Sequence, residues 1–169
     1  MILQLAPIVI AFGANLGDRA GTIRSAQDEL SRHPRVRELR CSLLYESLAV
    51  TPEGVSESKP KYLNGVALAM TELSPEALLD TLQEIELRHG RVRSERWGDR
   101  TLDIDIIAYA GRVQRTPRLT LPHPRAHERD FVLAPWLELE PAAVLIRHGR
   151  VRDLLKQVGD HTAVWREEP

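Results

Sequence analysis

The chain has 169 residues, of which 43% are hydrophobic and 28% are charged, and its formal net charge at pH 7 is −1. This length fits one compact domain with a sizeable core, so we expect residues 1–169 to form a single domain. The near-neutral charge disfavours nucleic acid as a partner, and no apolar run approaches the roughly 20 residues that a membrane-spanning helix needs.

The first half of the chain predicts a strand, a helix and two further strands. Residues 7–13 (PIVIAFG) form an apolar run that ends in residues typical of a tight turn. The apolar start lacks a basic leader and a cleavage site, so we interpret it as a strand and not as a signal peptide. With Cys41 as the only cysteine, this start predicts a cytoplasmic protein.

Helix and strand signals then alternate as far as residue 70. Asp18 can cap a helix that runs to about Arg32, before Pro34. Alternating polar and apolar residues predict a strand over 36–48. A proline-, glycine- and serine-containing stretch predicts a mobile loop, and a further strand follows it; these two segments cover 49–61 and 62–70.

The second half of the chain completes the fold prediction. Ser74 and Pro75 are expected to begin a helix that ends at Gly90, and residues 101–109 (TLDIDIIAY) read as the next strand. The order strand, helix, strand, strand, helix, strand predicts an α/β (α+β) fold with a ferredoxin-like βαββαβ core and a mainly antiparallel sheet. Helices would pack on this sheet, with mobile loops over the active site. A short strand, an apolar element (FVLAPWLEL) and a helix from about Val151 are expected to follow.

Two aspartates in the strand at 101–109 carry the strongest chemical signal. Alternation places Asp103 and Asp105 on one face and Leu102, Ile104 and Ile106 on the other. At a separation of about 6.6 Å the two carboxylates repel by roughly 2–3 kcal/mol, and a divalent cation between them would reverse that sign. Magnesium suits such a pair, because it takes few carboxylates and completes its shell with water and phosphate oxygens. In isolation, a pair of this kind more often serves only to solvate an open sheet face.

An arginine-rich segment directly before this strand favours the interpretation that the two aspartates hold a magnesium ion bound to phosphate. Guanidinium groups bind phosphate oxygens bidentately, although a charged run of this kind could also be a solvated loop. Trp97 argues against the solvated loop, because a large aromatic in a mobile loop usually has something to cover. In the later segment PHPRAHERDF, His123 and Arg129 could approach the phosphates and Phe131 offers a flat ring, although both His123 and Phe131 could instead be structural. The glycine-rich phosphate loops and nucleophile motifs of other enzyme classes are absent.

Four segments together resemble the 6-hydroxymethyl-7,8-dihydropterin pyrophosphokinase family of folate biosynthesis. They are FGANLGDR at 12–19, YLN at 62–64, GRVRSERWGDRTLDIDII at 90–107 and LTLPHPRAHERDFVL at 119–133. The resemblance implies that the chain transfers diphosphate from Mg-ATP to the hydroxymethyl group of 6-hydroxymethyl-7,8-dihydropterin and releases AMP. It also implies two magnesium ions, with ATP as co-substrate. We expect a monomer whose partners are these two small molecules.

The resemblance also assigns roles to individual residues. Catalytic roles, including magnesium binding by the two aspartates, fall on Arg91, Arg100, Asp103 and Asp105. The ATP-binding positions are Gln83, Glu86, Arg93, Trp97, Ile106, Arg118, Thr120, His123 and Arg129. The pterin-binding positions are Ser47, Tyr62, Asn64, Trp97 and Phe131, with Tyr62 and Phe131 sandwiching the ring. The chain departs from the family at 45–50, where a Thr-Pro or Ser-Pro pair is usual, and at Pro124, where others have an aromatic residue.

Two other functions fit parts of the pattern. A non-catalytic ferredoxin-like module could bind RNA or a regulatory ligand through its sheet and its arginine segment. Another magnesium-nucleotide transferase would keep the two aspartates but would not need Tyr62, Asn64 and Phe131. For the pyrophosphokinase, we expect the loop from Arg91 to Trp97 to close after both substrates bind.

Overall fold

The computed structural model describes residues 4–90 and 101–169, and all structural statements refer to them. The strands are β1 (Ala6–Ala14), β2 (Val36–Cys41), β3 (Tyr45–Ser47), β4 (Ala49–Thr51), β5 (Gly54–Ser56), β6 (Tyr62–Thr71), β7 (Asp103–Tyr109), β8 (Gln114–Arg115), β9 (Thr120–Leu121), β10 (Val144–Leu145), β11 (Gly149–Arg150) and β12 (Ala163–Val164). The helices are α1 (Arg19–Ser31), α2 (Pro75–Arg88), α3 (Asp130–Leu139) and α4 (Val151–Val158), with a short 3-10 turn at Ala126–Glu128.

The central sheet has the predicted ferredoxin-like topology. Its strands lie in the order β12-β3-β6-β1-β7, and β2 also pairs with β6. The described pairs in this sheet are all antiparallel. β1 lies between β6 and β7, so a residue of β1 can have a cross-strand neighbour on each side. Gly13 faces Asn64 on β6 and Asp103 on β7.

Helices cover both faces of this sheet because its strands are apolar on both sides. Ile8, Ile10 and Phe12 pack with the buried residues of α1 and α2. Val9 and Ile107 point to the opposite face and pack with α3 and α4. The predicted helix starts are confirmed, since the side chains of the two cap residues accept hydrogen bonds from backbone amides in the first turn. These cap residues are Asp18 and Ser74.

The strand predicted over 36–48 is interrupted in the structure. β2 ends at Cys41 and β3 begins at Tyr45, although both pair with β6. Ser42 bridges the gap, because its amide donates to Val66 O at 2.8 Å while its Oγ accepts from Val66 N at 2.9 Å. Alternation alone could not reveal this break, because the hydroxyl takes the place of a backbone acceptor.

Residues 49–61, predicted as a loop without regular structure, contain the two-stranded hairpin β4–β5. The short strand expected after Gly111 is β8, the apolar element FVLAPWLEL is α3, and the helix expected from Val151 is α4. Among the helices of residues 4–90 and 101–169, none is both long enough and apolar enough to cross a bilayer.

Candidate active site

A cavity of about 390 Å³ opens where β1, β6 and β7 meet the segment that leads into α3. Eight residues singled out from the sequence line it: Ser47, Tyr62, Asn64, Asp103, Asp105, His123, Arg129 and Phe131. They come from distant parts of the chain, so the antiparallel sheet brings together the segments that carry the sequence motifs. Ala11, Phe12, Gly13, Leu48, Val50, Pro124, Arg125 and Val132 complete the lining.

Asp103 and Asp105 share the cavity face of β7, as alternation predicted. Ile104 and Ile106 between and after them are buried against α1 and α2. Across the sheet, the neighbours of the two aspartates on β1 are Gly13 and Ala11. Small residues beside the carboxylates leave open space above the sheet, where a ligand could reach both carboxylate groups.

Two basic side chains approach Asp105 from the segment before α3. His123 Nε2 and Arg129 Nη1 each lie 3.9 Å from Asp105 Oδ2. The guanidinium of Arg129 also lies 5.6 Å from the centre of the Phe131 ring. The cavity thus holds acidic and basic groups side by side, an arrangement suited to a metal-bound polyphosphate.

The imidazole of His123 is neutral at pH 7. Burial is the main reason why its pKa falls to about 4; Arg129 and Arg125 lower the pKa further, and Asp103 partly opposes them. His123 Nδ1 accepts the Arg125 amide at 3.2 Å. The ring proton therefore lies on Nε2, the nitrogen that faces Asp105, so His123 can donate a hydrogen bond into the cavity without adding charge.

Asn64 is held on the other side of the cavity. Its Nδ2 donates to Ser47 Oγ at 2.8 Å and to Tyr45 O at 3.3 Å. With the amide nitrogen used in this way, Oδ1 is directed towards Gly13, where an added Cβ would lie 3.4 Å from it. Asn64 is 5% exposed, so its orientation is fixed by these bonds before any ligand arrives.

Asn64, Gly13 and Asp103 form one cross-strand row. The two ends of the row are separated by two inter-strand spacings, a distance of about 10 Å. An amide that can read a polar ring edge therefore lies one small ring system away from the carboxylate pair. Glycine in the middle of the row leaves the sheet surface flat, so a planar molecule could lie over it.

The model of the family described as 7,8-dihydro-6-hydroxymethylpterin-pyrophosphokinase (HPPK) matches residues 9–141. The chain belongs to this family. A Haemophilus influenzae protein named 2-amino-4-hydroxy-6-hydroxymethyldihydropteridine pyrophosphokinase is 39% identical over 155 residues, which cover 92% of this chain and 94% of that protein. A Synechocystis protein of the same name is 41% identical over 162 residues, or 95% of this chain and 80% of that protein.

Solved structures of HPPK-containing proteins share the fold. The crystal structure of wild-type Plasmodium falciparum HPPK-DHPS with pteroate matches with a TM-score of 0.68 at 13% identity. The match covers 91% of this chain and 42% of that one, so this chain spans about two fifths of the length of that protein. At this identity the likeness concerns the fold alone.

Five of the predicted ATP-binding residues do not line the cavity of this HPPK-family chain. Gln83 and Glu86 lie on α2, and Ile106 is buried on the α1 and α2 side of the sheet. Arg118 is exposed and pairs with Asp80. Thr120, the fifth of these residues, lies on β9 beside β7. Arg91, Arg93, Trp97 and Arg100 lie outside the described residues.

The sequence reasoning missed Arg125 and Gly13 as cavity residues. Arg125 stands in the PHPRAHERDF segment, between the two basic residues that were chosen, and it is near enough to lower the pKa of both His123 and Arg129. Gly13 stands in the FGANLGDR segment, whose role was left unassigned. Both could have been found by asking what the remaining residues of each motif contribute.

The described part of this HPPK-family chain offers only a small set of side chains that could serve as metal donors. Within residues 4–90 and 101–169, no group of three or more His, Cys, Asp and Glu side chains could hold a metal ion. A magnesium site needs few protein ligands, because magnesium keeps several waters and binds through one or two carboxylates together with substrate phosphates. Asp103 and Asp105, which share an open face beside basic groups, fit that requirement.

Proposed function

We propose that this chain binds 6-hydroxymethyl-7,8-dihydropterin and magnesium ATP in the cavity and transfers the diphosphoryl group of ATP to the hydroxymethyl oxygen. AMP and the pterin diphosphate are the products, and the reaction belongs to folate biosynthesis. The observation that carries the proposal is the cross-strand row from Asn64 through Gly13 to Asp103. This row joins an amide suited to a heterocycle with an acid suited to a metal.

The pterin lies over Gly13 with its polar edge towards Asn64 and Ser47. Tyr62 and Phe131, which both line the cavity, supply aromatic faces to the ring. A flat heterocycle with one polar edge matches this combination of aromatic rings and a fixed amide. The hydroxymethyl group then extends along the row towards Asp103.

Asp103 and Asp105 hold magnesium, and we assign two ions to the site. When bound, the metal supplies positive charge that polarises the transferring phosphates. Around it, His123 donates from Nε2 and Arg129 supplies a guanidinium to the nucleotide phosphates. Arg125 is included in this group because it lines the same cavity.

The remaining assignments extend the nucleotide site beyond the cavity. Arg91 and Arg100 stabilise the transferring group, and Arg93 and Trp97 contact the nucleotide, with Trp97 also closing over the pterin. The other contacts lie on α2 and around β7 and β9: Gln83, Glu86, Ile106, Arg118 and Thr120. Arg91, Arg93, Trp97, Arg100, Ile106 and Thr120 lie in the motif segments 90–107 and 119–133, and the other three positions rest on the family resemblance.

In the reaction, a lone pair of the hydroxymethyl oxygen forms a bond to the β-phosphorus of ATP. The bond from that phosphorus to the oxygen bridging the α- and β-phosphates breaks, and its electrons leave with AMP. The hydroxyl proton passes to solvent, with the Asp105 carboxylate as a proposed relay. Alignment and electrostatic stabilisation supply most of the acceleration in such transfers, so the chain needs no strong general base.

We extend the proposal to the state of the protein. Residues 1–169 act as one domain and as a monomer, with the two small molecules as partners and with neither nucleic acid nor membrane binding. The single cysteine and the net charge of −1 support a cytoplasmic protein without a polyanionic partner. Light scattering during size exclusion measures the oligomeric state directly.

The decisive experiment incubates the chain with ATP, Mg²⁺ and reduced hydroxymethylpterin and separates the nucleotides. AMP and pterin diphosphate in equal amounts are expected. The Asp103→Asn, Asp105→Asn double variant should form neither and should lose magnesium-dependent binding of a non-hydrolysable ATP analogue. Asp28→Asn is the matched control, because Asp28 is an exposed acid on α1 that pairs with Arg32.

Other products would point to other functions. ADP would mean transfer of a single phosphoryl group and would contradict the proposal. Equal turnover with an unrelated alcohol would favour a different nucleotide transferase. Absence of turnover together with salt-sensitive RNA binding would favour the non-catalytic module.

A further inference from the structure

Arg19 joins three segments that meet beside the cavity. It is the last residue of the FGANLGDR segment and the first residue of α1. Its Nη1 donates to the backbone oxygen of Lys61 at 2.8 Å, and its Nη2 donates to Glu46 Oε2 at 2.9 Å. The side chain of Lys61 completes the group, with Nζ 3.7 Å from Glu46 Oε1.

The two partners of Arg19 mark the two ends of one excursion of the chain. Glu46 lies in β3 directly before Ser47, and Lys61 lies directly before Tyr62 in β6. Ser47 and Tyr62 are register partners, and both line the cavity. Between them the chain leaves the sheet, forms the β4–β5 hairpin and returns. Arg19 therefore ties together the base of residues 48–60.

Arg19 acts from outside the cavity. Alternation along β3 directs Glu46 away from the face that carries Ser47, and Arg19 itself is not among the cavity residues. The Arg19 and Glu46 side chains are 23% and 27% exposed, so the pair is partly shielded from water. The group can influence the substrate only through the backbone on which Ser47 and Tyr62 stand.

The excursion contributes apolar lining to the cavity through Leu48 and Val50. A segment tied at both ends samples fewer positions than one that is free at its base. A guanidinium suits this task, because its planar fork can bond a carboxylate and a carbonyl at fixed directions at the same time. A lysine at the same position could offer its charge but not the same two-pronged geometry.

We infer that Arg19 is a positioning residue for the pterin side of the site: by tying Glu46 to the Lys61 carbonyl, it sets the places of Ser47, Tyr62 and the 48–60 excursion. The pterin part of this inference rests on the proposed function. It gives the FGANLGDR segment a role that Gly13 alone does not explain. The nucleotide side of the cavity, formed by β7 and the segment before α3, does not depend on it.

The test compares Arg19→Met, Arg19→Lys and Arg37→Met in steady-state kinetics and in amide exchange. Arg37→Met is the matched control, because Arg37 forms a 2.7 Å ion pair with Glu72 at the opposite end of the sheet. In Arg19→Met, the KM for the pterin should rise about tenfold or more, since small misplacements of binding groups have effects of that order. The KM for ATP should change by less than about twofold in the same variant.

Exchange protection gives a readout that does not need turnover. Amides in 48–61 should exchange faster in Arg19→Met, while those of β1 and α2 keep their protection. Arg19→Lys should recover part of the pterin KM and part of the protection, and Arg37→Met should match the unmutated chain in both.

Several results would overturn the inference. An unchanged pterin KM in Arg19→Met would do so, as would equal rises in both KM values, or the same effect in Arg37→Met. If the unmutated chain showed no pterin turnover, the proposed function and the pterin part of the inference would both fail. Amide exchange in 48–61 would then still test whether Arg19 restrains the 48–60 excursion. Unchanged protection in Arg19→Met would show that it does not.

Discussion

His123 Nε2 lies 3.9 Å from Asp105 Oδ2, although the two residues belong to different segments of the chain. The backbone brings them together, because the His123 amide donates to the backbone oxygen of Ile107, a residue of β7, at 2.9 Å. The same imidazole accepts the Arg125 amide at its other nitrogen. One ring nitrogen is therefore structural, and the other faces the carboxylates.

This division predicts that the two amide replacements of His123 will differ. A glutamine side-chain nitrogen can replace Nε2, whereas an asparagine side-chain oxygen can replace only Nδ1. We expect His123→Gln to keep more of the kcat/KM for ATP than His123→Asn, which should lose about tenfold to a hundredfold if the Nε2–H bonds the charged nucleotide.

His33 provides a control for that comparison. Like His123, it is followed by proline and arginine, and its Nδ1 accepts a hydrogen bond from the Arg35 amide at 3.1 Å. His33 does not line the cavity. The His33→Gln and His33→Asn variants should both keep full activity. A His123→Asn variant as active as His123→Gln would show that Nε2 has no role.

The Asn64–Ser47 hydrogen bond predicts graded effects on pterin affinity. Ser47→Ala removes the 2.8 Å acceptor but leaves Tyr45 O to orient the amide, so the pterin KM should rise about fivefold, equivalent to about 1 kcal/mol. Asn64→Ala removes the reading group itself and should raise the KM more. Ser56→Ala in the hairpin is the control, and a larger effect of Ser47→Ala than of Asn64→Ala would contradict this account.

Gly13 predicts a loss of binding without a loss of stability. An added Cβ would lie at ordinary contact distance from Asn64 and Tyr62, and Gly13 does not need a positive φ. Gly13→Ala should therefore leave the unfolding midpoint near that of the unmutated chain, yet raise the pterin KM because the methyl group occupies the cavity floor. Gly111→Ala, where the added Cβ would lie 3.7 Å from the Ile146 side chain, is the matched control. An unchanged pterin KM in Gly13→Ala would place the ring elsewhere.

Phe131 predicts that ring shape matters beyond apolar area. Phe131→Leu keeps an apolar side chain against the α3 and α4 core but loses the flat face. We expect the pterin KM to rise by a factor that corresponds to about 0.5–1.5 kcal/mol, while Phe131→Tyr stays near the unmutated value. Titration of the pterin in the presence of a non-hydrolysable nucleotide measures this, and equal affinities of the leucine and tyrosine variants would exclude stacking.

The hydrogen bonds of Ser42 predict that its replacement will lower stability without affecting substrate binding. Ser42→Ala leaves the Val66 amide without the hydroxyl that bridges β2 and β3, so the free energy of unfolding should fall by about 1–3 kcal/mol. Denaturant unfolding measures the loss, and both KM values should stay unchanged. Ser31→Ala, which removes an exposed hydroxyl bonded to Asp28 O, should have little effect. A similar loss in both variants would mean that the bridge contributes nothing particular.

Local patterns predicted much of this fold because they depend on near neighbours. The cap at Ser74, the alternation around Asp103 and Asp105 and the order of strands and helices are all set by residues a few positions apart. The break at Ser42 escaped prediction because its compensation is a hydrogen bond to a residue 24 positions away. The hairpin at 49–56 escaped because a polar segment with proline and glycine resembles an irregular loop.

The candidate site shows the same division. From the sequence alone came the carboxylate pair, the basic and aromatic candidates, and the likeness to the family to which the chain belongs, since residue types and short spacings carry that information. Only the tertiary structure decided that Gly13 separates Asn64 from Asp103, that Asp105 has His123 and Arg129 at equal distances, and that Arg19 ties Glu46 to Lys61. These relationships depend on strand register and on which helix covers which face, and both are settled by packing between segments that are far apart in the chain.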